Sequence, residues 1–337
     1  MRWHVLILLA GIGATPAIAQ DTAINQFASG NQTGTNQLDE TSLELFAGQL
    51  DYNTSVNLTQ LGMNTVNTIV YGGDLDLVVQ RFHGTQSLTN SISLAGHAIG
   101  GVIFQDATNI AGSVSSNTLT VADQLFAADA SQLILNSAEF ALLTGSIQQR
   151  GSNIANVAKA EYAIGTAAQT IELGAEQRID NRLALAATAS VGAFISQYGS
   201  NSGNIMISDT VENASRVFAG DQIVHNKVTL AELTDSRIEQ HGVNIANFIQ
   251  SSKIGNISQT SEGTQTVINE VIGPDGRPVR GDNIIQTSDN IVNLTVLTPP
   301  EGGNDNGQLS VDQNANFPQS SSGGGGSQTG NSVSISR

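Results

Sequence analysis

Apolar and polar residues alternate along most of the chain, and this period of two is the signature of a β-strand. In the segment that begins at Ile195, an aliphatic residue, Gln197 and the small residue Gly199 occupy every second position. These residues share one face of a strand, so the glutamine lies on the apolar side. The stretch from Leu183 to Gln197 extends the same alternation, which predicts a strand there.

A glutamine followed four residues later by an asparagine recurs along the chain. The pairing occurs 13 times, whereas random placement of 26 Gln and 30 Asn would give about two pairs. From Gln60 onward the glutamines form two interleaved series, each with a period near 45 residues. The first series is Gln60, Gln105, Gln149, Gln197, Gln240 and Gln286, and the second is Gln86, Gln132, Gln177, Gln222 and Gln265.

A strand repeat of this kind predicts an all-β chain folded as a β-solenoid. Because the two series are offset by half a period, we expect about eleven coils of about 22 residues, arranged as double repeats of about 45 residues. The repeats delimit a solenoid domain over residues 51–298, with a stack about 50 Å long at the spacing of neighbouring strands.

Amides that face inward need partners, because an unpaired buried amide costs about 1–3 kcal/mol. Equivalent side chains on successive coils can bond to one another, as in the Asn and Gln ladders of cross-β structures. We therefore predict structural ladders from both glutamine series and from the asparagines that follow the first series, namely Asn64, Asn109, Asn153, Asn201, Asn244 and Asn290. Glycines two residues after the glutamine are predicted to turn the chain, at Gly62, Gly151, Gly199 and Gly242.

The two ends of the chain differ from the repeat region. Residues 1–19 resemble a signal peptide, with an apolar run after Arg2 and an Ala17-Ile18-Ala19 cleavage site. Residues 20–50 contain incomplete repeats and are predicted to form an N-terminal segment or cap. Residues 299–337 are predicted to be a flexible tail rich in Gly and Ser.

The chain is acidic, with a formal net charge of −16, and it contains no Cys. The charge opposes binding to nucleic acid, which requires cationic side chains to displace counterions. A signal peptide predicts export through the inner membrane. No catalytic, metal-binding or cofactor-binding motif is present, so we expect neither an enzyme nor a cofactor.

The segment from Ser55 to Gly62 resembles the curlin repeat, in which Ser precedes Gln-x-Gly and a later Asn. The same pattern returns at Gln149-Arg150-Gly151, Gln197-Tyr198-Gly199 and Gln240-His241-Gly242. Curlins are the subunits of curli, the functional amyloid fibres of biofilms. In curlins, however, Asn tends to follow one residue later, and the chain here is about twice as long. These departures make it similar to a divergent relative, notably the HfaD-type holdfast-anchor family.

The resemblance implies a cell-surface structural or adhesive protein, either a fibre subunit or a biofilm anchor. It also implies a location outside the cell, in association with the outer membrane. It also implies as partners other copies or curlin-like subunits, a curli-type outer-membrane export pore and adhesive polysaccharide. The alternative is a capped, monomeric β-solenoid that binds, or cleaves, surface polysaccharide. The sequence leaves open which of these the protein is.

Overall fold

The computed structural model describes residues 4–10, 23–39, 54–55, 57–186, 190–277, 279, 283–298, 310–315, 319–322, 325–329 and 332–335. All regular elements in these ranges are β-strands, which confirms the predicted all-β class. No helix in these ranges has the length and hydropathy needed to cross a membrane. The strands are β1 (His4–Ala10), β2 (Ala23–Ser29), β3 (Gln32–Asp39), β4 (Thr54–Ser55), β5 (Asn57–Val70), β6 (Asp74–His83), β7 (Thr85–Gly100), β8 (Val102–Phe126), β9 (Ser131–Leu143), β10 (Ser146–Ile171), β11 (Glu176–Leu185), β12 (Ser190–Val191), β13 (Phe194–Phe218), β14 (Asp221–Thr229), β15 (Leu233–Thr234), β16 (Arg237–Ser261), β17 (Thr264–Ile272), β18 (Ile284–Leu297), β19 (Ser310–Ala315), β20 (Gln319–Ser322), β21 (Gly325–Thr329) and β22 (Ser332–Ile335).

Two parallel sheets run along the length of the molecule and give it a solenoid-like form. The first sheet has the order β1-β5-β8-β10-β13-β16-β18-β21, and β6 lies beside β8 at one end. The second sheet has the order β20-β17-β14-β11-β9-β7-β3. Successive strands of one sheet are separated in sequence by a strand of the other, so the chain coils from sheet to sheet.

One coil contains about 45 residues, which corrects the predicted coil of about 22. Gln149 pairs with Gln105 and with Gln197 in the first sheet, one full period away in each direction. Gln132 pairs with Gln177 in the second sheet at the same separation. The two glutamine series therefore lie in different sheets of the same coil. Each observed coil corresponds to two of the eleven predicted coils. The six coils from β5 to β18 rise over about 24 Å, half the predicted length.

Each complete coil has three faces. Face 1 is the first part of each long strand, which stacks on β5, and face 2 is the second part, which stacks on β6. Face 3 is the second sheet. Faces 1 and 2 meet at a residue in the left-handed backbone region, for example Asn156 with φ of 54°. Asparagine and glycine tolerate this conformation best, which explains the residues at this corner. They are Asn67, Gly112, Asn156, Asn204, Asn247 and Asn293.

The predicted turn glycines do not turn the chain. They lie within β5, β10, β13 and β16, and none of them has a positive φ. They permit close packing of face 1 on face 3 instead. A methyl group at Gly151 would lie 2.5 Å from Cγ2 of Ile179 and 3.2 Å from Cγ2 of Ile134. The position therefore excludes a side chain, because a real Cβ does not approach another carbon so closely.

The interior is filled by aliphatic side chains that recur at one position per coil. Between faces 1 and 3 lies a column whose members include Ile134, Ile179 and Val224. Three phenylalanines, Phe82, Phe126 and Phe218, fill the region beside the corner. The rings of the first two lie 5.6 Å apart. Alternate positions of each strand thus build four apolar clusters that extend from coil to coil along the stack.

The ends of the chain contribute strands to the stack. β2 and β3, from the predicted N-terminal segment, pair with β6 and β7, while residues 40–50 lie outside the described ranges. β1, in the predicted signal peptide, pairs with β5. The predicted cleavage site at residues 17–19 also lies outside the described ranges. Four short strands of the predicted flexible tail, β19 to β22, pair with β16, β17 and β18.

The predicted continuous strand from Leu183 to Gln197 is interrupted. β11 ends at Leu185 and β13 begins at Phe194, with only the two-residue β12 between them. Residues 187–189 lie outside the described ranges. An alternating pattern cannot distinguish one long strand from two strands joined across a corner.

Candidate functional site

Columns of buried amides run through the interior of the described stack. The first glutamine column and the first asparagine column lie on face 1. The second glutamine column and the second asparagine column lie on face 3. The members of the first two are Gln60, Gln105, Gln149, Gln197, Gln240 and Gln286, and Asn64, Asn109, Asn153, Asn201, Asn244 and Asn290. The members of the other two are Gln32, Gln86, Gln132, Gln177, Gln222 and Gln265, and Asn36, Asn90, Asn136, Asn181, Asn226 and Asn269.

Gln149 illustrates how one amide is satisfied. Its Nε2 donates to Oε1 of Gln105 at 2.8 Å and to two face 3 backbone carbonyls, those of Asn136 at 3.2 Å and Arg182 at 3.0 Å. Its Oε1 accepts from Nε2 of Gln197 at 2.8 Å. The side chain is fully buried. Each amide therefore joins neighbouring coils to each other and face 1 to face 3.

The asparagines form equivalent columns. Nδ2 of Asn136 donates to Oδ1 of Asn181 at 2.8 Å and to the backbone carbonyl of Arg150 at 2.8 Å. The glutamines of one face and the asparagines of the other thus donate across the same narrow interior. Because both faces contribute donors, no coil can shift in register without breaking bonds on both.

Sequence reasoning missed a third glutamine column and the role of the corner asparagines. The third column lies on face 2 and contains Gln26, Gln80, Gln124, Gln169, Arg216 and Gln259. The corner asparagines also bond from coil to coil, as Asn204 does to Asn247 at 2.9 Å. A search for glutamines 44 or 45 residues apart, without the following asparagine, would have found Gln80, Gln124 and Gln169, which are half of the third column.

Arg216 interrupts the third column with a charge. The side chain is 1% exposed, and only its Nη1 has a partner, the backbone carbonyl of Phe248 at 2.6 Å. Nε and Nη2 have no partner, and neither has Oε1 of Gln169 on the preceding coil. Burial lowers the pKa of Arg216 well below its ordinary value. The column thus contains one local defect, where a buried cation replaces an amide.

No family model, curated protein or solved structure matches the chain.

A cluster of charges on the outside of face 3 joins three coils. Asp180 accepts from Nε of Arg178 at 3.0 Å and from Nη2 of Arg182 at 3.2 Å, and its Oδ1 lies 3.5 Å from Nδ1 of His225. Nε2 of His225 lies 3.4 Å from Glu270 on the next coil. Burial alone would raise the pKa of Asp180. The hydrogen bonds from His225 and Arg178 and the charges of the two arginines outweigh burial and lower this pKa to about 2.

The outer surface of face 1 carries a strip of planar side chains. The rings of Tyr198 and His241, on adjacent coils, are stacked with centroids 5.2 Å apart. The guanidinium of Arg150 lies 5.6 Å from the ring centroid of Phe104. Within the described ranges, no three His, Asp or Glu side chains are arranged to hold a metal ion. These planar and charged side chains give face 1 a surface that could bind a ligand.

Proposed function

We propose that the protein is a cell-surface structural or adhesive component that acts by stacking β-coils, as a fibre subunit or a biofilm anchor. The observation that carries this proposal is the set of amide columns, which run from coil to coil along two parallel sheets whose outermost described strands are β1 and β3 at one end and the short strands β20 and β21 at the other. A strand edge with unpaired backbone groups is a template for another strand. Stacked amides give such a joint both stability and register.

The sequence supports the same proposal from another direction. The repeat resembles that of curlins, and residues 1–19 resemble an export signal. We therefore propose export through a curli-type outer-membrane pore and a final position on the outside of the cell. The partners would be further copies of the chain or curlin-like subunits, with adhesive polysaccharide as the material that an HfaD-type holdfast anchor would hold.

Concentration-dependent assembly tests the proposal. The purified secreted chain should bind thioflavin T with a lag time that shortens as the protein concentration rises, and it should form multimers that resist SDS. A substitution of Asn36 by Lys places a charge inside the terminal strand β3, where a second copy would cover it, and should lengthen the lag several-fold. Thr35→Lys is the matched control, since it adds the same charge to the same strand on its exposed side.

Two results would contradict the proposal. One is a chain that stays monomeric and soluble at every concentration. The other is equal behaviour of the two lysine variants, because the coil end would then play no part in assembly. Far-UV circular dichroism should show that both variants keep their β-structure.

A capped monomer that binds surface polysaccharide is the second candidate. It is favoured by the strands β19 to β22, which lie along the edges of β16, β17 and β18. A groove on face 3, whose lining includes Ser137, Arg182 and Lys227, offers hydroxyl and cationic groups to such a ligand. Co-sedimentation of the monomer with extracted matrix polysaccharide, lost in Arg182→Gln, would support this candidate. Release of sugar from the matrix would instead indicate cleavage.

A further inference from the structure

The tail strands β19 to β22 prolong the coil beyond β18. β19 pairs with the end of β16, and β20 pairs with the part of β17 from Gln265 to Ile268. β21 and β22 pair with successive parts of β18. The tail thus finishes the last coil and begins another, so it covers much of the C-terminal edge of the described stack.

The register of the tail continues two of the glutamine columns. Gln313 in β19 stands opposite Gln259, the last member of the third glutamine column. Gln319 in β20 stands opposite Gln265, the last member of the second glutamine column. Both Gln259 and Gln265 are buried. Two columns therefore specify the same register for the tail, as the alternation of inward and outward residues requires of a strand with one buried face.

The tail lacks the apolar residues of the coils that it follows. The aliphatic column between faces 1 and 3 ends at Val267, and the residue opposite Val267 in β20 is Ser321. On face 1, the residue opposite the buried Ser288 is Gly326. Serine and glycine bury far less apolar area than valine, and the hydrophobic stabilisation is proportional to that area. Glycine also loses more conformational entropy when a strand forms. We therefore expect the stack to hold the tail more weakly than it holds a repeat coil.

These properties are those of a terminal cap. A strand that pairs with a sheet edge removes the template which that edge offers to another chain. Solenoids accordingly end in atypical, polar repeats. In this chain the register keeps the tail on its own stack, while the shortage of apolar residues leaves little for a further coil to pack against.

We propose that residues 310–335 form a detachable cap, the tail cap, which controls whether the C-terminal edge is open to other chains. With the tail cap in place, β17 and β18 are paired along much of their length by the chain's own strands. When the tail cap is released, the same strands present their backbone groups and the last members of the amide columns. The capped monomer and the assembling subunit are then two states of one chain. The inference rests on the proposed assembly function and adds its regulation.

Two lysine substitutions in the tail test this proposal in the full-length secreted chain. The inward variant combines Gln313→Lys with Gln319→Lys, so that a charge stands at each register position opposite a buried glutamine. Burying an unpaired charge is far more costly than burying an amide that has partners, so the tail should be released. The remaining coils keep their own residues, and far-UV circular dichroism should show that their β-structure is retained.

The outward variant is the matched control. It combines Asn314→Lys with Ser320→Lys, which adds the same charge to the same two strands one residue later. These positions stand opposite Thr260 and Thr266, which are partly exposed. A lysine there can keep its charge in water, so the tail cap should stay in place.

Amide hydrogen exchange measures release of the tail cap, and thioflavin T fluorescence measures its effect on assembly. Exchange in β17 and β20 should be about ten-fold faster in the inward variant than in the parent, and unchanged in the outward variant. The lag time of assembly should be several-fold shorter in the inward variant alone. A synthetic peptide of residues 308–337, added to the inward variant, should restore the lag time of the parent, whereas a scrambled peptide should not.

Three results would overturn the proposal. Equal exchange in the two variants would mean that the tail is not held in this register. Faster exchange with the lag time of the parent would mean that the tail does not control assembly, although the proposed assembly function would stand. If neither the parent nor the inward variant assembles at any concentration, the proposed assembly function fails, and the role of the tail cap fails with it.

Discussion

Replacing Gln149 with Leu should strongly destabilise the protein, although the side chain keeps its approximate size. The substitution leaves Oε1 of Gln105 without any donor, and it takes one donor each from the backbone carbonyls of Asn136 and Arg182. Gln197 loses one acceptor but keeps two backbone acceptors. At about 1–3 kcal/mol for a fully orphaned buried group and less for the partly satisfied ones, the expected loss is about 3–5 kcal/mol.

The neighbouring residue provides the control. Gln148→Leu makes the same chemical change on the same strand, but this side chain points outward and is only partly buried. We expect its free energy of unfolding to stay within about 0.5 kcal/mol of the parent. Urea denaturation followed by far-UV circular dichroism measures both midpoints. Equal shifts for the two variants would refute the claim that inward amides, rather than strand pairing alone, hold the coils together.

Three further substitutions test single features. Arg216→Gln should restore the third glutamine column and raise the free energy of unfolding by about 2–3 kcal/mol. The reverse change, Gln124→Arg, should lower the free energy of unfolding. A Gln124→Arg variant that is more stable than the parent would contradict this reasoning. Because the pKa of Asp180 is lowered to about 2, its ion pairs contribute stability above the unfolded pKa near 4, and this is lost as the pH falls through 2. Asp180→Asn should therefore remove about 2 kcal/mol of acid-dependent stability between pH 5 and pH 2, measured by urea titrations at each pH. An unchanged pH profile would exclude that role. Gly151→Ala should lower the free energy of unfolding by about 1–3 kcal/mol, because the added methyl group is crowded. Gly72→Ala has open space around it and should lower the free energy of unfolding by less than about 0.5 kcal/mol. Thermal unfolding measures both.

The alternation of residues and the spacing of the glutamines predict much of the core from the sequence. Gln149 and Asn153 are four residues apart, so both face inward on one strand whatever that strand pairs with. Local periodicity suffices for such a statement. It also explains why the predicted series coincide with real columns, because equivalent positions recur once per coil.

The coil length could not be obtained in the same way. Gln149 and Gln177 stand in related half-repeats, and the sequence does not reveal whether their strands pair with each other or face each other across the core. The glycine at 151 shows the same limit. A glycine after a strand pattern suggests a turn. Here the glycine instead leaves room for the side chain of Ile179 on the opposite face, a contact between residues far apart in sequence. The sequence did not predict that Arg216 belongs to a column, because a repeat of glutamines does not identify a member that is not glutamine.

Pairing across one full period also limits how the molecule can change in size. Duplication of one unit of about 45 residues would insert a coil whose neighbours are the same as before, since each coil bonds only to the coils above and below it. The stack would then lengthen by about 4.8 Å for each added coil. An insertion of half a unit would set face 1 of one coil against face 3 of the next, so the stack can lengthen only by whole coils.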